Sequence, residues 1–184
     1  VVAVDDKNVF AVGAGSIVRY DGKTTTKANA AGLDKNWMSV SAVSKKEVYA
    51  VSSKGDVVKY NGSIWSAVKS ITTSNLVVDI LAHSSNDIYV VSVNFKSKDS
   101  FIHHFNGKAW TTQHKANGAQ IQSVCASSSN NMYGFGLGYV VNMKGQKWKE
   151  IFSGTRLDLM NIWGDSQGRF FAIAKEGPTG KYRD

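Results

Sequence analysis

Cysteine and proline are almost missing from this chain, with one of each in 184 residues. A lone thiol excludes a disulfide framework. Cys125 falls in a recurring column with Val2, Ser41, Leu81 and Trp163, where a small buried thiol is expected to be inert. Missing too is any apolar run near the ~20 residues that carry a helix across a bilayer. No stretch sustains a helical period, so helices are not expected. There is no signal peptide and no initiator methionine. The chain opens in mid-strand at Val1-Val2-Ala3-Val4, which reads as a processed or trimmed piece. Acidic side chains are the minority, 14 against 22 Lys and Arg, for a net charge of +8. A basic surface favours anionic partners. The positive residues are spread over the whole chain, however, without a block of about five or six, so nucleic acid is not the expected partner. Hydrophobic content of 42% is ordinary for a globular protein and excludes disorder.

What is present is a repeat. It reads Val9-Phe-Ala-Val…Tyr20-Asp-Gly, then Val48-Tyr-Ala-Val…Tyr60-Asn-Gly-Ser-Ile-Trp65, then Ile88-Tyr-Val-Val…Phe105-Asn-Gly-Lys-Ala-Trp110. Met132-Tyr-Gly-Phe…Met143-Lys-Gly-Gln-Lys-Trp148 and Phe170-Phe-Ala-Ile…Lys181-Tyr182 follow. The first residues of successive copies lie 39, 40, 44 and 38 positions apart. A repeat of about forty residues marks stacked supersecondary units, and strand-only units of that length are propeller blades. The fold expected is all-β, a β-propeller of four-stranded antiparallel blades. About five blades are represented, over residues 1–36, 37–75, 76–120, 121–158 and 159–184, the last incomplete. A propeller hides its sheet edges by closing. Residues 1–4 and 181–184 are therefore expected to pair with each other, with further residues, or with a partner chain that completes the ring.

One copy shows how a blade is built. Strand a is 37–43 and a polar turn follows. Strand b, Val48-Tyr-Ala-Val51, is apolar on both faces and needs cover from both sides. Strand c is 56–60. Asn61-Gly62 signals a hairpin of type I′, in which both central residues take positive φ. Strand d is 64–68. Alignment of the copies gives a small-residue column (Ala3, Ala42, Ala82, Ala126, Gly164) and an aromatic one (Phe10, Tyr49, Tyr89, Tyr133, Phe171). Trp65, Trp110 and Trp148 recur in strand d, where recurrence points to packing. Arg19, Lys59, His104, Asn142 and Lys181 recur in strand c and read as the solvent side of an outer strand.

The pattern resembles two propeller families. Ile162-Trp-Gly-Asp-Ser166, Val9-Phe-Ala-Val-Gly13 and Arg19-Tyr-Asp-Gly22 resemble a bacterial surface repeat of the form Trp-Gly-x-Ser-x-x-Asp-Val-Trp-Ala-Val-Gly…His-Tyr-Asp-Gly-x-x-Trp. The Gly-x-x-Trp hairpin is similar to the tectonin-type repeat of recognition and lectin propellers. These resemblances imply a binding protein, and the second implies carbohydrate as a ligand.

No chemistry-bearing motif accompanies the repeat. Gly-x-Ser-x-Gly, phosphate-loop and dinucleotide patterns are all missing. His103 and His104 are neighbours on a strand and point to opposite faces. His83 and His114 have no cysteine or carboxylate at ligand spacing. Neither metal nor cofactor is expected, nor catalysis.

Binding is expected where the loops vary. In a propeller the a–b and c–d turns share one face, and these are short and regular here. The b–c loops and d–a connectors share the other. The connectors 28–36, 70–75, 115–120 and 152–158 differ in length, and the third copy carries a b–c insertion at 93–100. Candidate contact residues on this face are Asp34, Lys35, Trp37, Phe95, Lys96, Lys98, Arg156 and Asp158. The plain alternatives are a core role for Trp37, a Phe95 folded over its own blade, and a pair between Arg156 and Asp158. A polar column of Ser39, Asp79, Ser123 and Asn161 opens strand a and is expected to line the axial channel.

The function expected is a non-catalytic binding module, a protein-interaction scaffold or cell-surface recognition propeller with a protein or glycan partner. A tectonin-like lectin, a polyanion binder and a glycan-active enzyme are the alternatives. The Ser-, Asn-, Thr- and Gly-rich composition suits a secreted, periplasmic or cell-surface protein.

Overall fold

The computed structural model describes residues 1–13, 15–28, 35–128, 131–137, 139–145, 147–151, 157–164 and 169–176. Every regular element among them is a strand. The first blade is β1 (Val2–Asp5), β2 (Asn8–Gly13), β3 (Ser16–Tyr20) and β4 (Thr25–Lys27). The second is β5 (Trp37–Ser44), β6 (Glu47–Ser52), β7 (Val57–Tyr60) and β8 (Trp65–Val68). The third is β9 (Leu76–Ser84), β10 (Asp87–Asn94), β11 (Asp99–Phe105) and β12 (Trp110–Ala116). The fourth is β13 (Ile121–Ser128), β14 (Asn131–Gly136), β15 (Tyr139–Lys144) and β16 (Lys147–Ile151). Of the fifth, β17 (Leu157–Gly164) and β18 (Phe170–Glu176) are described. Within each blade the strands pair antiparallel in chain order, a meander. The chain is a β-propeller, as the repeat predicts, with four complete sheets and part of a fifth.

The second strand of a blade explains the stacking. Val48, Tyr49, Ala50 and Val51 are all buried, as are Ile88, Tyr89, Val90 and Val91. Successive side chains point to opposite faces of a strand. Val48 and Ala50 therefore pack with Phe10, Ile17 and Val40 toward the first blade. Tyr49 and Val51 pack with Val77, Ile80 and Ile88 toward the third. Tyr89 and Val91 repeat the step toward Val124, Met132 and Val141 of the fourth. β6 and β10 thus each belong to two cores at once, at about 1.5–3 kcal/mol per buried aliphatic side chain.

The recurring tryptophans are packing residues. Trp65 meets Phe10 of the preceding blade edge-on, with centroids 6.2 Å apart. Trp148 meets Tyr89 the same way at 6.3 Å. The Trp column of one blade thus closes over the aromatic column of the blade before it.

Two expectations are corrected. The hairpin before the Trp is not type I′, because Gly62 has φ of 103° while Asn61 does not take positive φ. The Asn61 side chain shapes the turn instead, its Oδ1 accepting from the backbone N–H of Ser63 and Ile64 at 3.0 Å each. Asp21 and Asn106 do the same in their blades, which is the local bonding that suits Asp and Asn to turns.

The second correction concerns the polar column of strand c, which is not simply solvated. Lys59 donates to Glu47 at 2.8 Å, and Tyr49 donates to the same carboxylate at 2.7 Å. His104 pairs with Asp87 at 2.8 Å while stacking on Tyr89 at 4.5 Å. Arg19 Nη2 donates to Asn8 at 2.7 Å. In these blades the next-to-last side chain of strand c reaches back to the first residue of strand b across the aromatic column. The hydrogen bond from Lys59 is the main force holding the Glu47 carboxyl below its usual range.

Among the described residues β1 pairs only with β2, and β18 lies in a sheet with β17 alone. Residues 181–184, expected to take part in closure, lie outside the described residues. On the far side of the fifth blade Trp163, Phe171 and Ile173 are 51%, 42% and 58% exposed. The equivalent positions of inner blades are covered by a neighbour.

Candidate functional site

The innermost strands carry a recurrent defect. Each of β5, β9, β13 and β17 shifts register against its partner near its start, between Trp37 and Ser39, opposite Val91 and Ser92, between Ile121 and Ser123, and between Leu159 and Asn161. A bulge of this kind re-aims the side chain beside it. The residue just after each bulge is Ser39, Asp79, Ser123 or Asn161, the polar column read from sequence.

Three of these meet. Ser39 donates its hydroxyl to one oxygen of the Asp79 carboxylate at 2.7 Å. Ser123 donates to the other oxygen at 2.9 Å, and so does the Val124 backbone N–H at 2.9 Å. One carboxylate in the third blade therefore ties the second and fourth to it. Burial raises the Asp79 carboxyl above the ordinary range, more than these donors lower it. The described contacts leave the carboxylate engaged with protein donors on both oxygens. The side chain of Asn161 lies outside the described residues.

The varied face is stitched by backbone bonds. Ser53 in the b–c turn of the second blade donates to Asn36 at 2.8 Å and accepts from Val77 of the third at 3.0 Å. Gly15 donates to Lys35 at 2.9 Å. Gly55 sits at φ of +89° with its α-carbon against Ile71, where a Cβ would lie 2.6 Å from a carbonyl oxygen. Only glycine fits such a turn. Asp56 receives Lys35 at 2.6 Å and the Ser52 hydroxyl at 2.6 Å. Burial pushes the Asp56 carboxyl up, but Lys35 and Ser52 outweigh it and leave it lowered.

The insertion of the third blade is a short built loop between β10 and β11. The Asn94 side chain accepts from the backbone of Lys96 at 3.1 Å and Ser97 at 3.2 Å. Its amide donates to Asn75 at 3.2 Å, beside the strand entry that Ser53 also touches. Asp99 accepts from the Gly118 backbone at 2.9 Å, the main reason its carboxyl is lowered. Phe95 is 59% exposed, so it is not folded over its own blade.

The candidate residues thus separate. Phe95, Lys96 and Lys98 stand exposed on one loop. Lys35 is on the same face but paired with Asp56. Trp37 is only 2% exposed and belongs to the core between the first and second blades, so it supports the face from beneath. Asp34 and Arg156 lie outside the described residues, and Asp158 is placed only by the backbone of β17. Sequence reasoning passed over Lys54 and Asp56. The run Lys54-Gly-Asp56 carried the signal, since glycine between two charges fixes a turn that presents one and lets the other pair with Lys35 and Ser52.

His103 is buried between Ser92, at 2.9 Å, and Thr112, at 3.1 Å. Burial lowers its pKa to about 4. It points into the sheet while His104 points to Asp87, so the two histidines do not converge. Among the described residues no group of three His, Cys, Asp or Glu side chains is placed to hold a metal. No helix among them is long and apolar enough to cross a membrane.

No protein-family model and no curated protein matches the sequence. Solved propellers match the fold. The chain is similar to YCF48 bound to D1 peptide, at 17% identity and a TM-score of 0.65, covering 94% of this chain and 60% of that one. The WD40 β-propeller domain of Doa1 gives 14% identity and a TM-score of 0.69, again with 94% and 60% covered. Virginiamycin B lyase from Staphylococcus aureus gives 11% identity and 0.63, with 95% and 72% covered. At these identities the likeness establishes the fold alone. The chain spans 60% of the length of the first two.

Proposed function

We propose that this chain is a non-catalytic protein-interaction module that takes a segment of another protein on its b–c face. The observation that carries the reading is the built loop of the third blade, which spends its hydrogen bonds holding Phe95 away from its own core. Loops that vary on a fixed scaffold are where binding residues concentrate, and this loop presents an exposed aromatic ring beside exposed lysines. The YCF48 propeller, similar in fold, has been solved with a peptide bound, which supports this use of the architecture. A lyase among the similar structures keeps catalysis as the competing reading. Against it, His103 is enclosed within a sheet and Asp79 is saturated with donors.

Panning a displayed random-peptide library against the folded chain tests the reading. Bound peptides are expected to slow amide exchange at 52–56 and 94–99. A library that yields no binder, or protection confined to the opposite turns at 21–24 and 61–64, overturns it.

A further inference from the structure

We infer that the partner segment is acidic and carries one apolar anchor, gripped by Phe95 together with Lys96, Lys98 and Lys54. This rests on the interaction-module reading and adds the chemistry of the partner.

The argument begins with the charge left over on the face. In the described loops of the second and third blades the acids are Asp56 and Asp99. Asp56 is occupied by Lys35 and Ser52, and Asp99 by the Gly118 N–H with Lys115 at 3.5 Å. Lys54, Lys96 and Lys98 are exposed, and among the described residues their ammonium groups have no hydrogen bond or ion pair. The acids are thus turned inward and the cations outward. Complementary charge sets which partner docks and how fast.

Hydrogen bonds bring the two loops that carry these cations to the same strand entry. Ser53, next to Lys54, is bonded to Val77, and Asn94, which shapes the Phe95 loop, is bonded to Asn75. The two loops therefore meet at one strand entry. Lys98 adds an observation of its own. Its φ is 61°, and it is the one non-glycine residue with positive φ among the described residues. Glycine would hold that conformation without strain. Lys98 carries a cation in that less favoured conformation, and backbone strain of this kind clusters at ligand clamps and other functional sites.

An aromatic ring and three lysines exposed on two short, adjoining turns offer a small surface. Nucleic acid needs a row of phosphate contacts, and stable membrane attachment needs a larger apolar area or a lipid anchor. A peptide with a few carboxylates about one apolar side chain matches it in size and sign.

The test uses three fluorescent peptides of equal length, measured by polarisation. One is rich in Glu and Asp with a single Leu, the second has that Leu replaced by Gly, and the third is rich in Lys with the Leu kept. The first is expected to bind most tightly and to weaken as salt rises. Phe95→Ala, and Lys96→Ala with Lys98→Gly, are each expected to weaken it about tenfold or more. Lys98→Gly alone is expected to weaken binding while leaving the melting temperature unchanged or higher, which separates contact from folding. Equal affinity for the acidic and basic peptides, or variants that bind like the parent, overturns the inference. So does binding of phosphatidylserine vesicles with no preference among the peptides. If library panning yields peptides that are neither acidic nor sensitive to these substitutions, this inference falls and the module reading stands. If panning yields nothing, both fall.

Discussion

Ser39 and Asp79, forty positions apart and in different blades, share a 2.7 Å hydrogen bond between the first strands of those blades. The bond is one repeat long, and Ser123 mirrors it from the other side. A single carboxylate therefore registers three blades against one another.

Replacing that carboxylate strands three donors. Asp79→Ala is expected to lower the unfolding free energy by about 2–3 kcal/mol, with Asp79→Asn losing less because its amide oxygen still accepts. The pH dependence has a definite sign. The folded-state pKa of Asp79 is raised by burial, so the native state holds the proton more tightly than the unfolded chain. Stability from this group therefore rises as pH falls through the folded pKa and is lost again as pH climbs. Urea titrations of both variants and the parent at neutral and mildly acid pH check this.

His103 acts in the opposite sense. Its folded pKa of about 4 lies below the ordinary 6.5. The unfolded chain takes up a proton first as pH falls. The stabilisation from neutral His103 is present above pH 6.5 and is lost on the way to pH 4, roughly 3 kcal/mol in all. His83 and His114, also lowered by burial, push the same way. His103→Gln is expected to flatten the acid limb of a plot of urea midpoint against pH.

Trp65→Ala is expected to cost about 3–5 kcal/mol, since the ring fills the space between Phe10 and Tyr60. Trp110→Ala should cost less, because that ring is only half-buried. Thermal melts of the two variants side by side test the ranking.

Among the described residues the apolar face of the fifth blade is exposed, and in the 184-residue chain by itself this predicts self-association. Trp163 and Phe171 stack there at 5.6 Å in contact with water. Substitution of Phe171 and Ile173 by Lys is expected to shift sedimentation toward the monomer without lowering the melting temperature. An unchanged sedimentation profile would show that this face does not drive association.

Much of the fold was legible because the blade repeats. Period-2 burial of strand b on both sides could be read at Val48-Tyr-Ala-Val51 and Ile88-Tyr-Val-Val91, since no other arrangement covers both faces. The polar column at 39, 79 and 123 could be aligned, but not its joining by Asp79, because adjacency of different blades is a tertiary fact. Strand c misled for a related reason. Lys59 and His104 look solvated by residue type, and only the cross-strand register, which sets them opposite Tyr49 and Tyr89, brings them within reach of Glu47 and Asp87. Trp37 was ambiguous because an aromatic residue at a strand's start serves a core or a contact equally well. The turn at 61–62 was misjudged because Asn-Gly encodes a sharp reversal without encoding which of the two bends the backbone.

Among the described residues the apolar interior falls into four clusters, each shared by adjoining blades. Pulled from its two ends, such a chain has no single centre to break. Force would be met one seam at a time, giving a ladder of small rupture events spaced by the contour length of a repeat. The seams on either side of Asp79 would yield late, so the middle of the chain would serve as its last mechanical anchor.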